Sequence, residues 1–151
     1  YRRGMYTFWK RTCPPPGMMT FDAPDREFCL IRRARTNTPL QALVLLNDPT
    51  FVEAARNLAE RVLSEAKTDD ERISLAFQLS LSRLPTATER RVFSETLHVA
   101  TDRFRMDQAA ATKLLSVGRA SLGLQFVPEE LAAWATAMSL LLNLDEAISK
   151  T

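Results

Sequence analysis

From Thr38 onward, apolar residues return every three or four positions, the period of helices with one buried face. Pro39 to Leu46 predicts a short helix. Pro49 to Ala66 predicts a longer one, with Phe51, Ala55, Leu58, Val62 and Ala66 on one stripe. Asp69 can cap a third, whose inner face carries Ile73, Ala76, Phe77 and Leu81. Thr86-Ala87-Thr88-Glu89 has the form of a capping box and opens a helix with Phe93, Leu97, Ala100 and Phe104 facing inward. Asp107 to Val117 predicts another, stopped by Gly118, with a loop up to Val127. Pro128, with Glu129 and Glu130 suited to the positive end of the helix dipole, starts the last helix, and Leu131, Ala135, Met138 and Leu142 form its buried stripe. Connections are short, so neighbouring helices should run antiparallel. The fold class expected is mainly α: a five- or six-helix bundle.

Two helix starts are packed into the stretch Arg35 to Pro49, RTNTPLQALVLLNDP. In Thr38-Pro39-Leu40-Gln41 the threonine can accept from the third helical N–H while the glutamine reaches back. Pro39 sits in the first turn, where a missing N–H costs nothing, and Asp48-Pro49 repeats the device. This much local specification predicts a fixed structural corner.

Residues 1–37 read differently. They are rich in proline and aromatics and lack a helical period. Met5 to Trp9 and Phe28 to Ile31 are short runs of strand-favouring type, and Pro14-Pro15-Pro16-Gly17 between them is expected to be an extended connector that excludes helix. The expectation is an irregular cap with a short β-hairpin, the competing reading being a first helix over residues 1–10. The chain is thus expected to be one domain of residues 1–151, with the cap at 1–37 and the bundle at 38–151.

Hydrophobic residues make up 46% and charged residues 25%, ordinary for a globular domain, and no apolar run approaches a membrane span. Residue 1 is Tyr and no signal peptide is visible, so a fragment of a longer chain is expected. The net charge of +2 is unevenly placed. Residues 1–50 hold 8 Lys/Arg against 4 Asp/Glu, and the remainder 12 against 14. Most of the cations are arginines, which make planar contacts to carboxylate, sulfate or phosphate; here they are expected to tie the N-terminal segment to acidic residues of the helical part. So small a net charge, with acids well mixed in, argues against nucleic-acid binding. Cys13 and Cys29 form no CxxC motif, and with a single histidine they cannot complete a four-ligand zinc site without carboxylates. They are expected to be small buried hydrophobes, a disulfide being the alternative in an oxidising compartment.

YTFWKRTCPPP (Tyr6 to Pro16), FDAP (Phe21 to Pro24), RRARTNTPLQALVLLNDPTFVEAAR (Arg32 to Arg56) and AAW…LLNLDE (Ala132 to Glu146) together resemble one family, the Planctomycete-type C-terminal domain of unknown function, family 1553. The resemblance runs over nearly the whole chain, although residues 67–127 match only in pattern. It implies a C-terminal position in large exported, hence periplasmic or secreted, proteins, many with an upstream c-type cytochrome domain. Haem would belong to that domain, since this chain lacks the CxxCH motif, and no cofactor is expected here. The expected partners are other domains of the parent chain, including a cytochrome c domain. Cys13 stands where relatives are expected to carry Ala or Val, and Gly4-Met5 replaces an expected Ser-Leu.

Candidate chemistry is sparse. His98 has no evident nucleophile or acidic partner and reads as a boundary residue. Asp22, Asp48, Asp145 and Glu146 all lie in the recognisable motifs. Asp48 reads as a cap, and Asp22 as a turn residue bonding backbone two positions on. Asp145 and Glu146 are expected to pair with Arg32, Arg33 or Arg35. The chain is therefore expected to be a non-catalytic interaction module. The alternative is a part of a polysaccharide-binding or -hydrolysing enzyme, with Asp22 and Asp145 or Glu146 as acid and base. Arg32, Arg33, Arg35, Asn37, Trp9, Lys10 and Arg11 would then form an anion-binding or interface surface. Trp9 and Trp134 are expected to be core anchors rather than ligand platforms.

Overall fold

The computed structural model describes residues 4–10, 12–24, 27–32, 34–120 and 126–149. Its contacts divide the chain into two compact units, residues 1–44 and 45–151.

The second unit is the helical bundle. After the end of α2 (Pro39–Asn47) it contains α3 (Pro49–Glu65), α4 (Asp69–Leu81), α5 (Ala87–Met106), α6 (Gln108–Leu115), α7 (Pro128–Leu142) and the short α8 (Asp145–Ile148). α7 is the centre and packs on α3, α4, α5, α6 and α8. Its sequence explains this. Besides the expected Leu131, Ala135 and Met138, it buries Ala132, Ala133, Trp134, Ala137 and Leu141, so it is apolar nearly all round. A helix with no polar face must be enclosed by others. Trp134 is 2% exposed and meets Phe93 of α5 at a ring distance of 6.1 Å, with Phe77 of α4 packed edge-on against Phe93. Each such large side chain contributes about 1.5–3 kcal/mol through burial.

Local chemistry fixes the helix ends. Asp48 accepts from the Thr50 N–H at 2.8 Å. The Thr86–Glu89 capping box forms in both directions. α4 is capped not by Asp69 but by Thr68, whose side chain takes the Glu71 N–H while Glu71 reaches back to the Thr68 N–H. Asp69 stands instead at the first helical position. The expected core stripe of α5 is buried in full. That of α3 is rotated toward Ala59 and Leu63, leaving Phe51 and Leu58 half-buried.

The first unit is irregular. Gly4–Tyr6 is one 3-10 turn, and α1 (Pro16–Thr20) is a single helical turn. No strand forms among the described residues, and an isolated bridge between Lys10 and Cys13 stands where a hairpin was expected. The triple proline does not exclude helix here, because Pro16 occupies the first helical position, the one place where its missing N–H and fixed φ suit a helix. Cys13 and Cys29 are free and exposed, contrary to the expectation of buried thiols. The reason is that the surroundings form no core: among the described residues up to Val44 the one buried side chain is that of Gln41.

Candidate functional site

The motif residues of the first unit converge on Gln41. Its amide oxygen accepts from the Thr38 N–H at 3.1 Å, and the Gln41 N–H donates to the Thr38 hydroxyl at 3.3 Å, so the expected capping box forms. The amide nitrogen of the same side chain donates to the Thr20 carbonyl at 2.8 Å and to the Thr36 hydroxyl at 3.1 Å. Thr36 in turn donates its N–H (2.8 Å) and its hydroxyl (3.0 and 2.8 Å) to the Asp22 carboxylate. Gln41 is 1% exposed, and its hydrogen-bonding capacity is largely met, as burial of an amide requires. The node staples together the two ends of the segment between residues 22 and 36. Asp22 does not bond the backbone two residues on, because that residue is Pro24, which has no N–H. It adopts φ 55° instead, a left-handed conformation that aspartate tolerates better than most residues.

The other candidates are spread out. Trp9 is half-buried, while Lys10, Arg32, Arg35 and Asn37 are exposed. Trp9, Arg35 and Asn37 have interaction partners. Arg11 and Arg33 lie outside the described residues. Asp145 and Glu146 are both exposed on α8. Glu146 pairs not with an arginine of the first unit but with Arg83, at 2.7 and 2.8 Å. Arg83 also grips the capping glutamate Glu89 at 2.6 and 2.9 Å, and its guanidinium lies 5.6 Å from the Phe77 ring. The Arg83 hydrogen bonds, with the Thr86 N–H behind them, pull the Glu89 carboxyl down to about 2. The same guanidinium lowers Glu146, and the two carboxylates together raise Arg83, Glu146 contributing most. Such groups are fixed ion-pair partners at neutral pH and poorly suited to shuttling protons. His98 is exposed on α5, with Nε2 3.9 Å from Asp102.

Sequence reasoning missed the most unusual pair in the chain. Glu53 and Arg56, one turn apart on α3, are 1% and 2% exposed. The Glu53 carboxylate accepts the N–H groups of Arg119 (2.8 Å) and Ala120 (3.0 Å). Arg56 donates to the carbonyls of Leu115, Val117 (3.3 Å) and Ala120 (3.0 Å). The two charges thus serve the backbone groups left over where α6 ends. Gly118 makes this possible. Its φ is +102°, and a Cβ there would lie 2.2 Å from the Glu53 carboxylate. The sequence does hold a signal: two charges flanking Ala54-Ala55 beside the apolar stripe of α3, and a glycine three residues after α6. Beside Arg56, α3, α6 and α7 enclose an apolar cavity of about 170 Å³ with Val52, Ala55, Leu115 and Ala135 among its walls. No carboxylate, thiol or imidazole among the described residues lines it, so it offers no acid–base chemistry. Nor do any three His, Cys, Asp or Glu side chains among the described residues come together as a metal site. No helix among them is long and apolar enough to cross a membrane.

Fold and motifs together define an all-helical module headed by an irregular, stapled segment. The chain belongs to the family described as protein of unknown function (DUF1553), whose model matches residues 1–97. That match takes in the Gln41 node and both buried charges of α3. No curated protein and no solved structure matches the chain.

Proposed function

We propose that this chain is a non-catalytic interaction module, the C-terminal part of an exported, cytochrome c-associated multidomain protein, and that its first unit docks on another domain of that parent. The observation that carries the reading is the exposure of large apolar side chains in the first unit. Phe8 is 83% exposed, Phe28 74%, and Ile31 fully so, with Met5, Tyr6 and Leu30 also bare. Several large apolar side chains left in water in one short unit are what a contact site supplies. The carboxylates proposed for catalysis are engaged otherwise, Asp22 by Thr36 and Glu146 by Arg83. Export, cytochrome association and the placing of haem in an upstream domain rest on the family resemblance alone.

The test is calorimetric titration of the chain with the remainder of its parent, at low and high salt. Binding that changes little with salt and is lost in a Phe28→Asp/Ile31→Asp variant is expected. Absence of binding, with heat instead on adding a sulfated glycan, would favour the polysaccharide reading.

A further inference from the structure

The helices of the bundle leave the cavity beside Arg56 unfilled. Its volume of about 170 Å³ lies between Val52 of α3, Leu115 of α6 and Ala135 of α7. Leu46 and Leu140, also among its walls, are 40% and 45% exposed, so it opens to solvent on their side. An apolar cavity of about 150 Å³ admits a molecule the size of benzene, and it holds water poorly because each water needs about two to four polar partners. The size therefore selects a single six-membered ring or its aliphatic equivalent.

Two polar atoms narrow the class further. Arg56 directs its terminal nitrogens to the carbonyls of Leu115, Val117 and Ala120. Its Nε is buried, as is Oε1 of Glu60 one turn on, and neither has a hydrogen-bond partner among the described residues. The two atoms stand 3.8 Å apart, too far for a direct hydrogen bond. One is a donor and the other an acceptor. A single oxygen about 2.8 Å from each would close the gap, accepting from Nε–H and donating to the carboxylate, and a hydroxyl is the group that does both. Arg56 is both a wall of the cavity and one side of this gap. Its charge is already met by Glu60, so an ionised ligand finds no spare counter-charge there. We propose that the cavity binds a small neutral alcohol or phenol, with its ring against Val52, Leu115 and Ala135 and its hydroxyl bridging Arg56 Nε and Glu60 Oε1. For the roughly seven heavy atoms of phenol a dissociation constant of order 0.1–1 mM is expected.

Titration of the 151-residue chain with phenol, toluene and benzoate at neutral pH, followed by amide NMR shifts, tests this. Phenol should give saturable shifts centred on Val52, Arg56, Leu115 and Ala135. It should bind about tenfold more tightly than toluene, which has the ring without the hydroxyl, and benzoate should give no saturable shift. Glu60→Met keeps the length of the side chain but removes the acceptor, and should bring phenol down to the affinity of toluene. Ala135→Leu fills the cavity and should abolish binding of both; Ser139→Leu, from a half-buried wall position, does the same should the first variant fail to fold. Toluene or benzoate binding as tightly as phenol, phenol binding indifferent to Glu60→Met or to a folded filling variant, or no saturable shift with any probe would overturn the proposal. The cavity belongs to the second unit and the docking surface to the first, so either reading can fail alone.

Discussion

Residues 45–149 enclose a core of large apolar side chains: Trp134, Leu131, Met138, Phe77 and Val62 are all 2% exposed or less. Among the described residues of 4–44 no large apolar side chain is buried, Phe8, Phe28 and Ile31 are largely bare, and the side chain buried there is an amide, Gln41. Both regions are locally well specified, since capping boxes form in each. What differs is what specification is used for. In the bundle, helices are fixed in order to close a core around α7. In the first region a hydrogen-bonded staple, Asp22–Thr36–Gln41–Thr20, fixes a segment whose apolar residues have no core to enter. Local order without a core suits a surface completed by something else; the bundle needs no such completion.

This contrast can be broken most directly at the two buried charges. Removing either one strands backbone groups and disturbs the turn at Gly118, so Glu53→Ala or Arg56→Ala should lower stability by about 3–5 kcal/mol, as for other broken buried charge sites. Chemical denaturation measures it, and a loss below about 1 kcal/mol, the range of exposed pairs, would mean the charges do not hold the turn. Gly118→Ala comes next. The added Cβ must displace Glu53 and the residue must keep φ near +102°, so a cost of about 2 kcal/mol is expected.

Acid sharpens the comparison from another side. Glu89 titrates at about 2 in the folded chain, against an ordinary value of 4.5, and Glu146 and Glu71 are also lowered. Glu89 and Glu146 owe this mainly to Arg83, Glu71 to the N–H groups of Thr68 and Lys67. A depressed carboxylate stabilises the fold above its unfolded value, and that contribution is lost as pH falls through the folded one. The melting temperature should therefore fall between about pH 4.5 and pH 2. Arg83→Met should flatten that decline, and an unaltered pH profile in the variant would remove Arg83 from the account. Thr68→Ala and Thr86→Ala should cost about 1 kcal/mol each, as for typical caps. The smallest effect belongs to the first region. Phe8→Ser and Ile31→Ser, at side chains already in water, should change stability by less than about 0.5 kcal/mol.

What was legible in the sequence was local. Asp48, Thr86 and Gln41 announce their roles because their partners lie two or three residues away. The stripe of α5 was legible because its period is regular. Glu53 and Arg56 were not, because their partners lie 59 to 67 residues on, in a turn whose placement depends on the finished bundle. The strand expectation at Met5 to Trp9 failed for a related reason. Strand propensity registers fit to a half-buried sheet, and no sheet forms there to receive those residues. The Arg83–Glu146 pair joins residues 63 apart. Composition identified arginine–carboxylate pairing as a theme but could not say which arginine.

Hydrogen exchange of the chain, alone and mixed with the remainder of its parent, tests the central contrast most directly. Alone, amides of α3, α5 and α7 should exchange only through global unfolding, while those of the described residues of 4–32 exchange quickly, being largely exposed and outside long helices. On mixing, new protection should appear in residues 4–32 and leave the bundle unchanged. Slow exchange of residues 4–32 in the isolated chain, or new protection confined to the bundle, would contradict the account.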